Sequence, residues 1–164
     1  MIIHDLICIR NIEERDLELL YKWNTPDFRG DFQECQLESL KRIQTDYEED
    51  EFCSSEFQMM MIESEGQPCG LLTLSFYREG LVKLGIVLAS EKRRSGIGSK
   101  ALSIITDYLF QNYPVVRIEA DTDVENIASQ KTLERAGFEK EGLLRKFRYH
   151  HGAYHDSFLY SKIR

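Results

Sequence analysis

The stretch Ser90 to Gln111, SEKRRSGIGSKALSIITDYLFQ, constrains the fold more than any other part of the chain. An apolar run, Leu84 to Ala89, leads into it. A basic loop follows, with Arg93, Arg94, Ser95, Gly96, Ile97 and Gly98. Then come Ala101, Leu102, Ile105, Tyr108 and Leu109 at the spacing of one helix face. The order is strand, glycine turn, helix. Small residues let the backbone approach a ligand closely, and the first N–H groups of a helix have no intrahelical acceptor. The positive end of the helix and the adjacent arginines favour an anion. The pattern predicts a pyrophosphate cradle; the plainer alternative is a glycine-bearing loop that only caps a helix.

Three loop signatures compete for this stretch. A Walker A loop needs Gly-Lys-Ser/Thr, but Gly98 is followed by Ser99 and Arg93 stands where the first glycine belongs. The dinucleotide fingerprint is met by Gly96, Gly98 and Ala101, with Glu119 at a fitting distance. That fingerprint turns directly out of its strand, and here Ser90 to Ser95 intervene. The third signature, Arg/Gln-x-x-Gly-x-Gly/Ala, is matched by Arg93, Gly96 and Gly98. It resembles the acetyl-CoA loop of the GNAT superfamily of N-acetyltransferases.

The 164 residues suit a single domain, 1–164, and 42% hydrophobic with 30% charged residues describes a soluble globular chain. No apolar run nears the roughly 20 residues that span a bilayer, and MIIHDLICIRNIEERD does not read as a secretory leader. Cys8, Cys35, Cys53 and Cys69 form no C-x-x-C pair, which points to reduced thiols, a cytoplasmic location and no metal site. A net charge of -7 argues against nucleic acid and suits a cationic substrate, or serves solubility alone.

Taken in order, Leu6 to Arg10 predicts a strand and Asn11, with Glu14 three residues on, the cap of a helix carrying Leu17, Leu20 and Tyr21. Thr25-Pro26-Asp27 ends it. Leu37, Leu40, Ile43 and Tyr47 predict a second helix that fades into the acidic run Asp46 to Glu51. That run is a solvated helix end or a negative lip that draws in an amine. Trp23, Phe28 and Phe32 are core or a substrate wall. Phe57–Ile62, Cys69–Tyr77 and Leu81–Ala89 predict an antiparallel meander. Val115–Asp121 follows the glycine-loop helix and pairs parallel with Leu81–Ala89. Asn126–Arg135 is a helix closed by Gly137. Phe138–Tyr149 and Tyr154–Ile163 make a last hairpin around His150-His151-Gly152-Ala153. The fold class is α/β, mixed α+β, in one domain with a mostly antiparallel sheet and one parallel crossover.

Asn126-Ile-Ala-Ser129, Leu133-Glu-Arg-Ala-Gly137-Phe138, Glu141-Gly142 and the tail Gly152-Ala-Tyr154-His155-Asp156 with Tyr160 resemble, in that order, the RimJ/RimL type of ribosomal-protein N-terminal acetyltransferase. The resemblance covers residues 84 to 163 and, more loosely, the whole chain. It implies a GNAT fold with a central splayed parallel pair and about four helices, and acetyl-CoA as cosubstrate. It assigns Val87, Leu88 and Ala89 to the pantetheine arm, the loop from Arg93 and Arg94 through Ser95, Gly96, Ile97, Gly98 and Ser99 to the pyrophosphate, and Asn126 to the cofactor. The acceptor is a primary amine, on a protein N-terminus or a small molecule, and dimers are common in such families.

Direct attack of a neutral amine then requires a proton donor for the thiolate. Ser129, one turn after Asn126, is the candidate, against a packing serine. The base is the weak point. Lys83, Leu84 and Gly85 carry no glutamate, and Arg148 stands where the branch's base would align. Glu119 is the choice, sharing a strand face with Asp121, against a carboxylate held in a charge pair. His150, His151 and His155 read as solvent-facing tip residues, and Asp156 as a tie for the hairpin or a residue lining the acceptor site. Two rivals remain: a catalytically silent acyl-CoA-binding module and an NAD-binding oxidoreductase.

Overall fold

The computed structural model describes residues 1–164. The chain opens with a hairpin, β1 (Ile2–His4) and β2 (Ile7–Asn11), where the sequence predicts only one strand. Arg10, at the end of β2, is buried and grips Asp16 through two bonds, 2.6 and 3.0 Å, and Glu63 through a third, 2.8 Å. Asp16 in turn accepts from the Glu13 N–H at 2.8 Å. The helical entry is therefore organised by Glu13 and Asp16, not by Asn11 and Glu14 as the sequence suggests. The buried guanidinium fixes Asp16 first.

Then come α1 (Leu17–Trp23), α2 (Pro26–Arg29) and α3 (Leu40–Asp50). Thr25 and Ser39 supply the N-cap oxygens of α2 and α3. Leu37 lies outside α3 and is exposed. The meander is β3 (Phe57–Ser64), β4 (Gln67–Arg78) and β5 (Leu81–Leu88). Its turns carry Glu65-Gly66 and Glu79-Gly80, with both glycines at positive φ. After the basic loop come α4 (Ile97–Asn112), β6 (Arg117–Asp123), α5 (Ile127–Arg135), β7 (Glu139–His150) and β8 (Ala153–Ile163).

The sheet order is β1-β2-β3-β4-β5-β6-β8-β7. Every neighbouring pair is antiparallel except β5 and β6. That parallel pair spans only Leu81↔Arg117, Val82↔Ile118 and Lys83↔Glu119. Beyond Lys83 the strands diverge, so Leu84–Leu88 pairs with β4 alone and Ala120–Asp123 with β8 alone. A gap with two unpaired strand edges opens at the centre of the sheet.

The larger core lies between the sheet and α4 and α5, where Val82, Leu84, Leu102, Ile105, Leu109, Ile118 and Tyr160 are buried. A smaller one, with Leu17, Leu20, Phe28, Ile43, Met61, Leu71 and Ala89, lies on the other face under α1 to α3. Strand alternation turns Arg117, Glu119, Asp121 and Asp123 of β6 toward this second face, opposite Ile118 and Ala120.

Candidate functional site

The glycine loop is built as a cradle. Arg94 and Gly96 have positive φ, 61° and 83°. The N–H groups of Arg94, Ser95, Gly96, Gly98 and Ser99 find no acceptor within the chain, while Lys100 N–H bonds to Gly96 O at 3.2 Å. Ile97 N–H faces Ser95 Oγ at 3.5 Å, and the Ile97 side chain is buried. Five donors and the N-terminus of a 16-residue helix thus point out of one turn.

Arg93 plays a different part from its neighbours. Its Nε donates to Leu88 O at 3.0 Å, and Nη2 donates to Phe28 O at 2.7 Å and Asp27 O at 3.2 Å. The side chain ties the loop to α2. Gly98 is forced small: a Cβ there would stand 3.1 Å from Thr132 Cγ2 and 3.6 Å from a Leu88 methyl. That contact brings α4, α5 and the end of β5 to one point.

Ala89 N–H donates to Cys69 O at 2.9 Å. By the alternation of an antiparallel ladder, Val87 and Ala89 direct their backbone groups to β4, whereas Ile86 and Leu88 direct theirs into the gap. Ile86 is a residue the sequence reading passes over. Asn126 caps α5, its Oδ1 accepting from Ser129 N–H at 3.1 Å. Ser129 precedes Thr132 by three residues and so shares its face, toward the start of α4. The Ser129 hydroxyl makes no bond within the chain.

Three polar groups climb β6 on the second face. At the closed end Arg117 Nε donates to Glu119 Oε1 at 2.6 Å, and Arg117 also binds Glu141, whose Oε1 accepts from Ser161. Glu119 therefore sits where β5 and β6 still pair, engaged by Arg117. Next, Asp121 lies between Lys83, at 2.6 Å, and Arg148. Burial works to raise the Asp121 carboxyl, but the Lys83 bond and the charge of Arg148 hold it below the usual carboxylate range.

At the open end, His150 Nε2 lies 2.8 Å from Asp123 Oδ2, and both residues are buried. His150 stacks on His155, centroids 3.9 Å apart and rings within 10° of parallel. These histidines are not the solvent-facing tip that the sequence suggests. The turn is only His151-Gly152, with both φ positive, so β7 carries His150 into the sheet. The available signal was Glu119–Asp121 continued by period two to Asp123. Asp156 does tie the hairpin, accepting from Lys146 N–H at 2.8 Å where β7 bulges.

A cleft of about 500 Å³ opens beside this pair, lined by Asp27, Asp31, Glu34, Arg93, Tyr149 and His150 among others. Trp23 stacks on the buried Phe28 behind it, centroids 4.4 Å apart, and Phe32 meets His150 edge-on. The acidic run ending α3 is not among the lining residues; the cleft draws its negative charge from α2 and the loop after it.

These features have relatives. The profile of the "Acetyltransferase (GNAT) domain" family matches residues 7–139. The uncharacterized N-acetyltransferase YoaA of Bacillus subtilis is 33% identical over 82 residues, 50% of this chain and 46% of YoaA. The probable N-acetyltransferase YjcK of the same organism is 38% identical over 63 residues, 38% of this chain and 35% of YjcK. The matched stretches thus span less than half of these curated relatives.

Among solved structures, RimL, a ribosomal L7/L12 α-N-protein acetyltransferase in complex with coenzyme A, superposes with a TM-score of 0.88 at 18% identity, covering 98% of this chain and 95% of RimL. Spermidine N-acetyltransferase from Vibrio cholerae, with CoA and spermine, gives 0.86 at 19% identity over 98% and 96%. A splayed parallel pair beside a helix with free N-terminal amides, and a family profile running through most of the chain, lead to one assignment: the protein belongs to the GNAT acetyltransferase family.

Proposed function

We propose that the chain transfers an acetyl group from acetyl-CoA to a primary amine by direct attack, as a RimJ/RimL-type enzyme of the cytoplasm. One observation carries the reading: the unpaired edges of β5 and β6 and the free amides before α4 flank the same gap. In this reading the pyrophosphate lies on the Arg94–Ser99 amides, and the pantetheine arm enters as a pseudo-strand satisfying Ile86 and Leu88. Leu88 N–H faces the thioester oxygen as charge develops there. Asn126 keeps its amide group for the cofactor, and the Ser129 hydroxyl donates to the leaving sulfur.

The acids Asp27, Asp31 and Glu34 make the cleft suited to a cationic acceptor. A lysine-like amine must lose its proton at a cost of about 4.6 kcal/mol at pH 7, an α-amine about 1.4 kcal/mol. The first kind of acceptor depends more on a protein base. Thermal unfolding with acetyl-CoA, CoA and NAD tests the donor site. Stabilisation by acetyl-CoA and CoA supports it, and stabilisation by NAD alone overturns it. Thiol release across a set of primary amines tests transfer; acetyl-CoA binding without release from any amine would leave only a binding module.

A further inference from the structure

At the open end of β6, beside the cleft, stands a set of side chains to which acetyl transfer gives no part. Asp123, His150 and His155 each place one ligand atom within 4.8 Å of the other two. We propose that these three residues form a binding site for one divalent transition-metal ion of the zinc class, with the Ser157 hydroxyl or a water as fourth ligand. The site goes beyond the acetyltransferase reading and does not depend on it.

Three strands converge on the site. Asp123 of β6 stands opposite Ser157 of β8, and His155, two residues before Ser157, shares that face. The tight His151-Gly152 turn brings His150 in from β7. Asp123, His150 and Ser157 are buried, and His155 is half-buried. Four side-chain polar atoms of the chain are enclosed without a hydrogen-bond partner, and three belong here: His150 Nδ1, His155 Nε2 and Ser157 Oγ. The fourth, Arg148 Nε, belongs to the guanidinium that Asp121 holds. Buried polar atoms are rarely unpaired, so a cluster of them points to a ligand. Zinc bonds to nitrogen and oxygen of about 2.0–2.2 Å set neighbouring tetrahedral ligands about 3.4 Å apart. His150 Nε2 and Asp123 Oδ2, at 2.8 Å, open slightly to admit the ion, which takes the place of the proton between them. The His150 proton then sits on Nδ1, and the imidazole stays neutral. Asp123 keeps its orientation through Oδ1, which accepts from Glu125 N–H at 2.8 Å. The two rings lie face to face at 3.9 Å, so loading splays them, and His155, the less buried, turns toward the carboxylate. Two nitrogens and one carboxylate select zinc, cobalt or nickel over calcium and magnesium, which take oxygen shells. Asp31 and Glu34, in the wall of the cleft that His150 lines, attract the cation on its way in.

The test is calorimetry of the full chain, stripped of metal with EDTA and dialysed, against Zn²⁺, Co²⁺, Mg²⁺ and Ca²⁺. The expected result is one Zn²⁺ per chain, weaker Co²⁺ binding, and none of Mg²⁺ or Ca²⁺. His150→Gln and His155→Gln should each weaken Zn²⁺ binding by at least about 100-fold. His155 is half-buried, so its variant decides if the buried His150→Gln fails to fold. Zn²⁺ should raise the thermal midpoint of the wild type and leave that of His155→Gln unchanged. In the unmutated chain, the imidazole NMR signals of His150 and His155 should shift together up to one equivalent of Zn²⁺. Absence of Zn²⁺ binding, equal binding by His155→Gln, or shifts confined to His4 and His151 overturns the proposal. Mg²⁺ binding as tight as Zn²⁺ overturns it as well. Stabilisation by acetyl-CoA is a separate reading: its absence removes the acetyltransferase function and leaves the metal site untouched.

Discussion

Gly70 shows how one hydrogen decides the geometry of the gap. A Cβ on it would lie 2.5 Å from Val87 O and 3.2 Å from Leu88 Cα, both backbone atoms of β5. Gly70→Ala should push β4 and β5 apart and destabilise the chain by about 3 kcal/mol, read as a lower denaturant midpoint. An unchanged midpoint would mean that the ladder has slack at this register. Arg93 is the other residue whose part is not evident from its type. Lysine at this position keeps the charge but loses the planar fork that reaches Leu88 O and Phe28 O together. Arg93→Lys should weaken acetyl-CoA binding about tenfold, about the worth of one charge-assisted bond, by loosening the loop. Equal affinity by titration calorimetry would show that the loop stands without this tie.

At the scale of elements, the helix termini carry most of the information. Asn126→Ala removes the α5 cap and should cost about 1 kcal/mol, while Asn126→Asp should keep it; denaturant unfolding of both variants checks this. If Asn126 also touches the donor, the Asp variant should retain stability yet lose acetyl-CoA affinity. The strands of the meander, α4, α5 and the last hairpin were legible, because period-two and period-3.6 patterns reflect local burial. Caps were less so. Asn11-Ile-Glu-Glu14 has the spacing of a capping box, but a buried guanidinium from β2 recruits Asp16 instead, and no local pattern reports that.

For the whole molecule, the charge network predicts acid lability. Glu141 is held down to about 2 by its bonds from Arg117 and then Ser161. Asp16 and Asp123 also lie below the ordinary range. Burial opposes this in both, but Arg10 and the Glu13 N–H outweigh it for Asp16, and His150 and the Glu125 N–H for Asp123. Depressed carboxylates bind fewer protons folded than unfolded, so their stabilisation is complete above about pH 4.5 and is lost as pH falls toward 2. Thermal midpoints should decline across that window and stay level between pH 5 and 7. A midpoint flat down to pH 3 would contradict the network.

The glycine loop, the helix it starts, the meander and the last hairpin were determined by sequence alone, because each depends on neighbours in the chain: glycines at positive φ, free first-turn amides, apolar spacing; the β1–β2 hairpin and the seating of β8 between β6 and β7 were not. The pairing of Asp123 with His150, 27 residues apart, and the seat of Glu119 at the closed end of the gap were decided only in three dimensions. They depend on where β5 stops pairing with β6, and on a two-residue turn that carries β7 one residue farther than its composition suggests. A side chain's burial and its partner across a sheet are set by register. Register is a property of strands distant in sequence.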